Sequence, residues 1–185
     1  MKIKNNQILC IGEILWDNLP SGAKPGGAPM NVALHLNNIG QNVAIASKIG
    51  NDERGQELVD FLQSSGLNTD LIQVDENLPT SEVLVHLDQS NNATYEICEP
   101  VAWDKLTLTD SLVKKAKESG LIIYGTLASR NPESRNTILN LLENELVKLI
   151  DVNLRIPFHT REIVEILLLK SDIVKLNDDE LVAIA

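Results

Sequence analysis

The chain has 185 residues, and its 16 Lys plus Arg against 26 Asp plus Glu give a formal net charge of −10. Apolar residues make up 43% and charged residues 23%, which describes a globular chain rather than a disordered or collagenous one, of a length that suits one domain or one domain with a small appendage. Such acidity repels phosphate backbones and anionic lipid, so no nucleic acid and no membrane surface is expected as a partner.

Aromatic residues reach only 3%, so Leu, Ile and Val must fill the core. Cys10 and Cys98 are too few for a disulfide framework and lack zinc-ligand spacing. Both are expected as reduced thiols in a cytoplasmic protein. Met1–Lys4 is mildly basic, but the apolar run Ile8–Ile11 stops at Gly12 and Glu13, too short for a signal peptide. No stretch approaches the length of a bilayer-crossing helix.

In chain order, Gln7–Gly12 reads as a buried strand. Pro29–Asn38 has helical spacing and ends at Gly40. Asn42–Ile49 reads as a strand, and Asp52–Ser65 as a helix stopped by Gly66. Glu82–Asp88 and Ala93–Cys98 flank the polar loop Gln89–Asn92 and read as an antiparallel hairpin. Ile14–Leu19 is free to pair with it, making a small flap that stands off the main sheet. A helix over Thr109–Ser119 and a strand over Leu121–Tyr124 come next, then a helix over Glu133–Asn144 and a strand over Val147–Val152. A helix over Thr160–Lys170, a strand over Asp172–Leu176 and a helix opening at Asn177 complete the series. This alternation predicts an α/β fold: a parallel sheet with helices on both faces, plus the small β flap.

In an open parallel sheet, ligands bind beyond the carboxyl ends of the strands. Four groups of residues follow strands. Asp17 is placed to accept hydrogen bonds from vicinal hydroxyls, although a solvated loop acid is the commoner reading of such a residue alone. Gly26-Gly27-Ala28-Pro29-Met30-Asn31 lets backbone approach a ligand, with Asn31 in the first helical turn; the alternative is a tight turn into a helix with Asn31 at the surface or capping. It is neither a P-loop nor a dinucleotide fingerprint. Asp151-Val152-Asn153-Leu154-Arg155 puts three polar residues on one side if the strand continues with a period of two. Arg155 would then clamp an anion, or form a structural pair with Asp151. Asn177-Asp178-Asp179-Glu180 is first of all a helix cap with an acidic first turn, and secondly a candidate for ordering metal-bound water near phosphate.

Together these groups resemble the ribokinase-like (PfkB) carbohydrate kinases, most closely the fructokinase branch. The stretch GGAPMNVALHLNNIGQNVAIASKIG carries Gly26, Gly27, Asn31, Gly40 and Gly50 in the manner of the first family signature. GEILWDNLP, YGTLA, DVNLR and KLNDDE are similar to fructokinase segments in the expected order, the last holding an Asn-x-x-Glu motif.

The resemblance implies a ribokinase-like domain over residues 1–185, with β-lid elements at about 13–25 and 81–99 and its C-terminal part missing. It implies that Asp17, Gly26, Gly27, Asn31, Asn153 and Arg155 bind a sugar, fructose favoured. Lys175, Asn177 and Glu180 would lie by phosphate, and Glu180 would act on Mg²⁺ through water. ATP and Mg²⁺ are the implied cofactors, transfer of the γ-phosphoryl to a sugar hydroxymethyl group the implied reaction, and a homodimer through the lid the implied assembly.

The family's second signature, with its Gly-Ala-Gly-Asp stretch and the base that takes the sugar proton, does not occur in these residues. The expectation is therefore a chain carrying the sugar half of the site, with little or no turnover alone and apolar surface left uncovered at a sheet edge. The alternative is a non-catalytic sugar-binding or dimerising kinase relic. A nucleotide-binding regulator is a weaker third reading, because no phosphate loop is present.

Overall fold

A computed structural model describes residues 5–87 and 93–185, with side chains 85–87 and 93–95 not described. The expected hairpin loop, Gln89–Asn92, with Asp88 at the end of the strand before it, and the basic start, Met1–Lys4, lie outside the described residues. The main sheet has six parallel strands in the order β10-β9-β8-β1-β4-β5. In chain order these are β1 (Gln7–Ile11), β4 (Asn42–Gly50), β5 (Ile72–Asp75), β8 (Leu121–Gly125), β9 (Val147–Asp151) and β10 (Ile173–Lys175). A second sheet, ordered β3-β2-β6-β7, is made of β2 (Leu15–Leu19), β3 (Gly22–Gly26), β6 (Ser81–Leu87) and β7 (Ala93–Ile97). Ile14–Leu19 does join the hairpin: β2 runs parallel to β6, with Asp17 opposite Val83.

Two strands escape the sequence reading. In β3, Gly-Ala-Lys-Pro-Gly has no apolar alternation, and its proline is tolerated because the strand lies at an edge. The four residues of β5 lie at the opposite edge of the main sheet and carry too short a pattern to register.

The helices are α1 (Ala28–Asn38), α2 (Glu53–Ser64), α3 (Asp110–Glu118), α4 (Pro132–Leu141), α5 (Arg161–Leu169) and α6 (Asp178–Ile184). Their starts follow from local chemistry: Asp52, Thr109, Asn131, Thr160 and Asn177 each accept a backbone N–H of the first turn.

Strand alternation splits the core in two. Leu9, Ile11, Ala44, Ala46, Ile122 and Tyr124 face α3, α4 and α5, meeting Leu112, Ile138 and Leu167. Cys10, Ile45 and Ile123 face α1 and α2, meeting Met30, Ala33, Leu58 and Leu62. Both faces of the central strands are thereby dry. At the β10 end Ile173, Val174, Leu181 and Val182 stay exposed.

The two sheets are joined by tightly fixed crossings. Between β1 and β2 the chain turns at Gly12, whose φ is 147° and whose missing side chain leaves room for the Pro29 ring. Before β6, Thr80 donates its N–H and its hydroxyl to the Asp52 carboxylate, at 2.7 and 2.6 Å, tying the second sheet to the start of α2.

Candidate functional site

The carboxyl rim of the main sheet and one face of the second sheet enclose a cleft of about 980 Å³. Asp17, Gly27, Asn31, Asn153 and Arg155 all line it, together with Glu13 and Asp151. Leu15, Leu19, Val83 and Ile97 of the second sheet form an apolar wall, and Leu127 and Ile156 extend it. Few polar groups against apolar walls suit a small polyol, whose ring has apolar faces and a polar edge.

The two glycines have separate jobs. A Cβ on Gly26 would stand 2.2 Å from Asp17 Oδ2, so this glycine makes room for the Asp17 carboxylate. Gly27 sits at φ 114° as the N-cap of α1, and a Cβ there would stand 2.4 Å from the Glu13 carbonyl oxygen. Gly27 O in turn accepts the Asn31 N–H at 2.9 Å, placing Asn31 one turn into α1 and on the cleft. Asp17 is half-buried. Burial raises its pKa above the ordinary carboxylate value, and the charge of Arg155 opposes that rise.

The third group departs from expectation in its backbone. β9 ends at Asp151, and Asn153 adopts φ 41°, so a continued period of two is not what aligns Asp151, Asn153 and Arg155. A left-handed Asn bends the chain around the rim instead. All three still line the cleft, because the bent segment curls over it.

Lys175, Asn177 and Glu180 do not line the cleft; they stand behind it. Lys175 Nζ pairs with Asp151 Oδ1 at 2.8 Å, across neighbouring strands in register. Glu180 is 6% exposed. Its Oε1 accepts from Leu154 N and its Oε2 from Asn177 N, both at 2.9 Å, while Asn177 Oδ1 accepts from Glu180 N at 2.8 Å. The capping box is thus real, and it also anchors the Asn153–Arg155 segment.

Both Glu180 oxygens are already engaged by backbone N–H groups. Among the described residues, no group of three His, Cys, Asp or Glu side chains could hold a metal ion. The described residues therefore do not by themselves make a metal cage.

The sequence offers Glu13 as the end of an apolar run and as part of GEILWDNLP, with no role of its own. It is 2% exposed, accepts from Ala28 N through Oε1 at 3.3 Å, and leaves Oε2 without a hydrogen-bond partner. Burial pushes its pKa up to about 7 against the opposing pull of backbone N–H groups at Glu13 and Ala28 and of the Arg155 charge, with the Asp151 charge adding slightly to the rise. The signal available in the sequence was an acid directly after a glycine inside a buried run.

Comparison with known proteins fits this geometry. Residues 22–185 match the pfkB family carbohydrate kinase model. The uncharacterized sugar kinase PH1459 of Pyrococcus horikoshii is 30% identical over 97% of this chain and 64% of its own length. Its structure in complex with ATP superposes with a TM-score of 0.85 at 27% identity, over 96% of this chain and 65% of that one. "Probable fructokinase-5" of Arabidopsis thaliana is 29% identical over 94% of this chain and 60% of its own length. The fructokinase of Xylella fastidiosa shares the fold, with a TM-score of 0.87 at 21% identity over 98% of this chain and 62% of that one. The chain thus spans under two thirds of the length of these relatives.

Proposed function

The chain belongs to the pfkB family of carbohydrate kinases, and from that premise we propose that its cleft binds a sugar, fructose favoured, as acceptor of the ATP γ-phosphoryl group. The observation that carries this reading is the meeting of Asp17, Asn31, Asn153 and Arg155 on one cleft at the carboxyl rim of the parallel sheet. Asp17 would accept from paired hydroxyls, Asn31 and Asn153 would each donate and accept, and Arg155 would face the hydroxymethyl end where negative charge arrives. Phosphoryl transfer asks for alignment and charge neutralisation more than for covalent chemistry. The chain's contribution is to hold the acceptor sugar in place and to keep water away from it.

The second sheet is assigned the role of a lid, spanning about 13–25 and 81–99. Its apolar wall of Leu15, Leu19, Val83 and Ile97 would cover the sugar and exclude water as a competing acceptor. We extend the reading to a homodimer through this lid, to a cytoplasmic setting and to Mg²⁺ delivered with the nucleotide. Lys175, Asn177 and Glu180 would then support the phosphate side from behind the rim.

These 185 residues contain no Gly-Ala-Gly-Asp stretch, which favours a second reading for the chain acting alone: sugar binding without turnover. One experiment separates the two. Titrate the chain with fructose by calorimetry, then assay it with ATP, Mg²⁺ and fructose. Binding with transfer supports the kinase reading for the chain as it stands. Binding without transfer supports the second. No binding of fructose or related sugars sinks the sugar site.

A further inference from the structure

Glu13 stands where the chain leaves the main sheet for the second one, and its buried carboxyl accepts from Ala28 N through Oε1 while Oε2 has no hydrogen-bond partner. Oε1 accepts from Ala28 N, the first amide of α1, where the helix dipole favours a negative acceptor. The Glu13 carbonyl presses on Gly27 so closely that no side chain fits there. Gly27 O accepts the Asn31 N–H. Glu13, the Gly27–Ala28 turn and Asn31 therefore form one short mechanical chain along the cleft wall. Oε2, closed off from water and without a partner, makes the acid a costly choice for a purely structural position.

We propose that Glu13 is a positioning residue for the sugar site, holding the Gly27–Ala28 turn at the cleft wall and, through that turn, Asn31. The proposal rests on reading the cleft as a sugar site. It has a consequence that a passive packing role lacks. A carboxylate accepts the Ala28 N–H more strongly than a carboxylic acid does, so the ionised form holds Asn31 more firmly. The group ionises near neutrality, and a sugar that needs Asn31 in place binds the ionised form better. Sugar binding should then release a proton, and affinity should rise with pH through about 7.

The charged groups that act on Glu13 are Asp151, held by Lys175, and Arg155, whose charge also acts on Asp17.

The test is fructose binding to the 185-residue chain by calorimetry at pH 5.5, 7 and 8, in buffers of different ionisation enthalpy. We expect about fivefold tighter binding at pH 8 than at pH 5.5, with proton release near pH 7, the size of a charged against a neutral hydrogen bond. Glu13→Gln should bind at the low-pH level throughout, with no proton release. Asn31→Ala should bind weakly and without the pH dependence, so that the two substitutions together are less than additive. Wild-type binding without proton release overturns the proposal, and so does a Glu13→Gln chain that keeps the wild-type profile. If Glu13→Gln fails to fold, the wild-type and Asn31→Ala profiles decide alone. Absence of sugar binding at every pH is a different failure: it removes the sugar reading and this proposal with it.

Discussion

Arg130 grips Asp104 with two parallel hydrogen bonds of 2.8 Å, Nε to Oδ1 and Nη2 to Oδ2, at side-chain exposures of 5% and 3%. The same guanidinium donates to the Cys98 carbonyl at 2.9 Å and lies between the rings of Trp103 and Phe158, at 4.1 and 4.5 Å from their centroids. Phe158 N donates to Arg155 O, so one side chain ties the exit of β7 to the segment that carries Arg155. Removing one partner leaves the other charge buried and alone. Arg130→Met should cost about 3–5 kcal/mol in urea unfolding. Arg130→Met combined with Asp104→Leu should recover part of that loss. A single-site cost below about 1 kcal/mol would show that the pair is solvated in practice.

Gly26 offers a cleaner separation of folding from binding. Its absent side chain leaves the space that Asp17 Oδ2 occupies, and the obstacle to an alanine is the tip of that side chain rather than backbone. Gly26→Ala should therefore unfold at nearly the wild-type urea concentration, within about 1 kcal/mol, because Asp17 can swing aside. Its fructose affinity should fall as far as that of Asp17→Ala, about tenfold to a hundredfold for lost hydrogen bonds to a charged group. Gly27→Ala should behave differently. It meets the Glu13 backbone at φ 114°, so it should lose stability as well as binding. Calorimetry alongside urea titration on the three variants distinguishes these outcomes.

The contrast between these residues shows where the sequence was legible. The alternation of β1, β4 and β8 between two helix layers is written in the apolar pattern, because both faces of those strands must be buried. The cap at Asn177 is written in a single residue type whose side chain has one natural partner. β3 and β5 were not legible, because β3 has no apolar alternation and β5 only four residues. The grouping of Asp17, Asn31 and Arg155 was suggested by position after strands and by family resemblance. The bend at Asn153 and the burial of Glu13 come from tertiary packing, which no local pattern encodes. Glu180 carried both a capping and a phosphate-side reading in the sequence, and the contacts present are those of the cap and of Leu154.

Glu13 also sets a pH dependence of stability whose sign can be stated. Its pKa is raised from 4.5 to about 7 in the folded chain, so between those values the folded state holds more protons than the unfolded one. Stability must therefore fall as pH rises from about 4.5 to 7, and the loss is complete above that. Over that interval the loss amounts to about 3 kcal/mol. Glu13→Gln removes the ionisation. The variant should match the wild type near pH 5 within about 1 kcal/mol and exceed it by about 2–3 kcal/mol at pH 8. Urea unfolding at the two pH values checks this, and a gap that fails to widen with pH contradicts it.

Glu180 makes the last case, because its two oxygens do different work. Oε2 closes the capping box on Asn177 N, and Oε1 holds Leu154 N in the segment between Asn153 and Arg155. Glu180→Gln keeps one acceptor and loses the other, so it should cost about 1 kcal/mol of stability. Glu180→Ala loses both and leaves two amides unpaired, at about 2–3 kcal/mol. The binding consequence is the sharper one. Leu154 is the anchor of the rim segment, so Glu180→Ala should weaken fructose binding even though Glu180 lies outside the cleft. Asn177→Ala removes the reciprocal cap but leaves the Leu154 bond available, and should destabilise α6 while sparing affinity. Equal affinity losses in Glu180→Ala and Asn177→Ala would mean that α6 as a whole, rather than the Leu154 hydrogen bond, sets the position of Arg155.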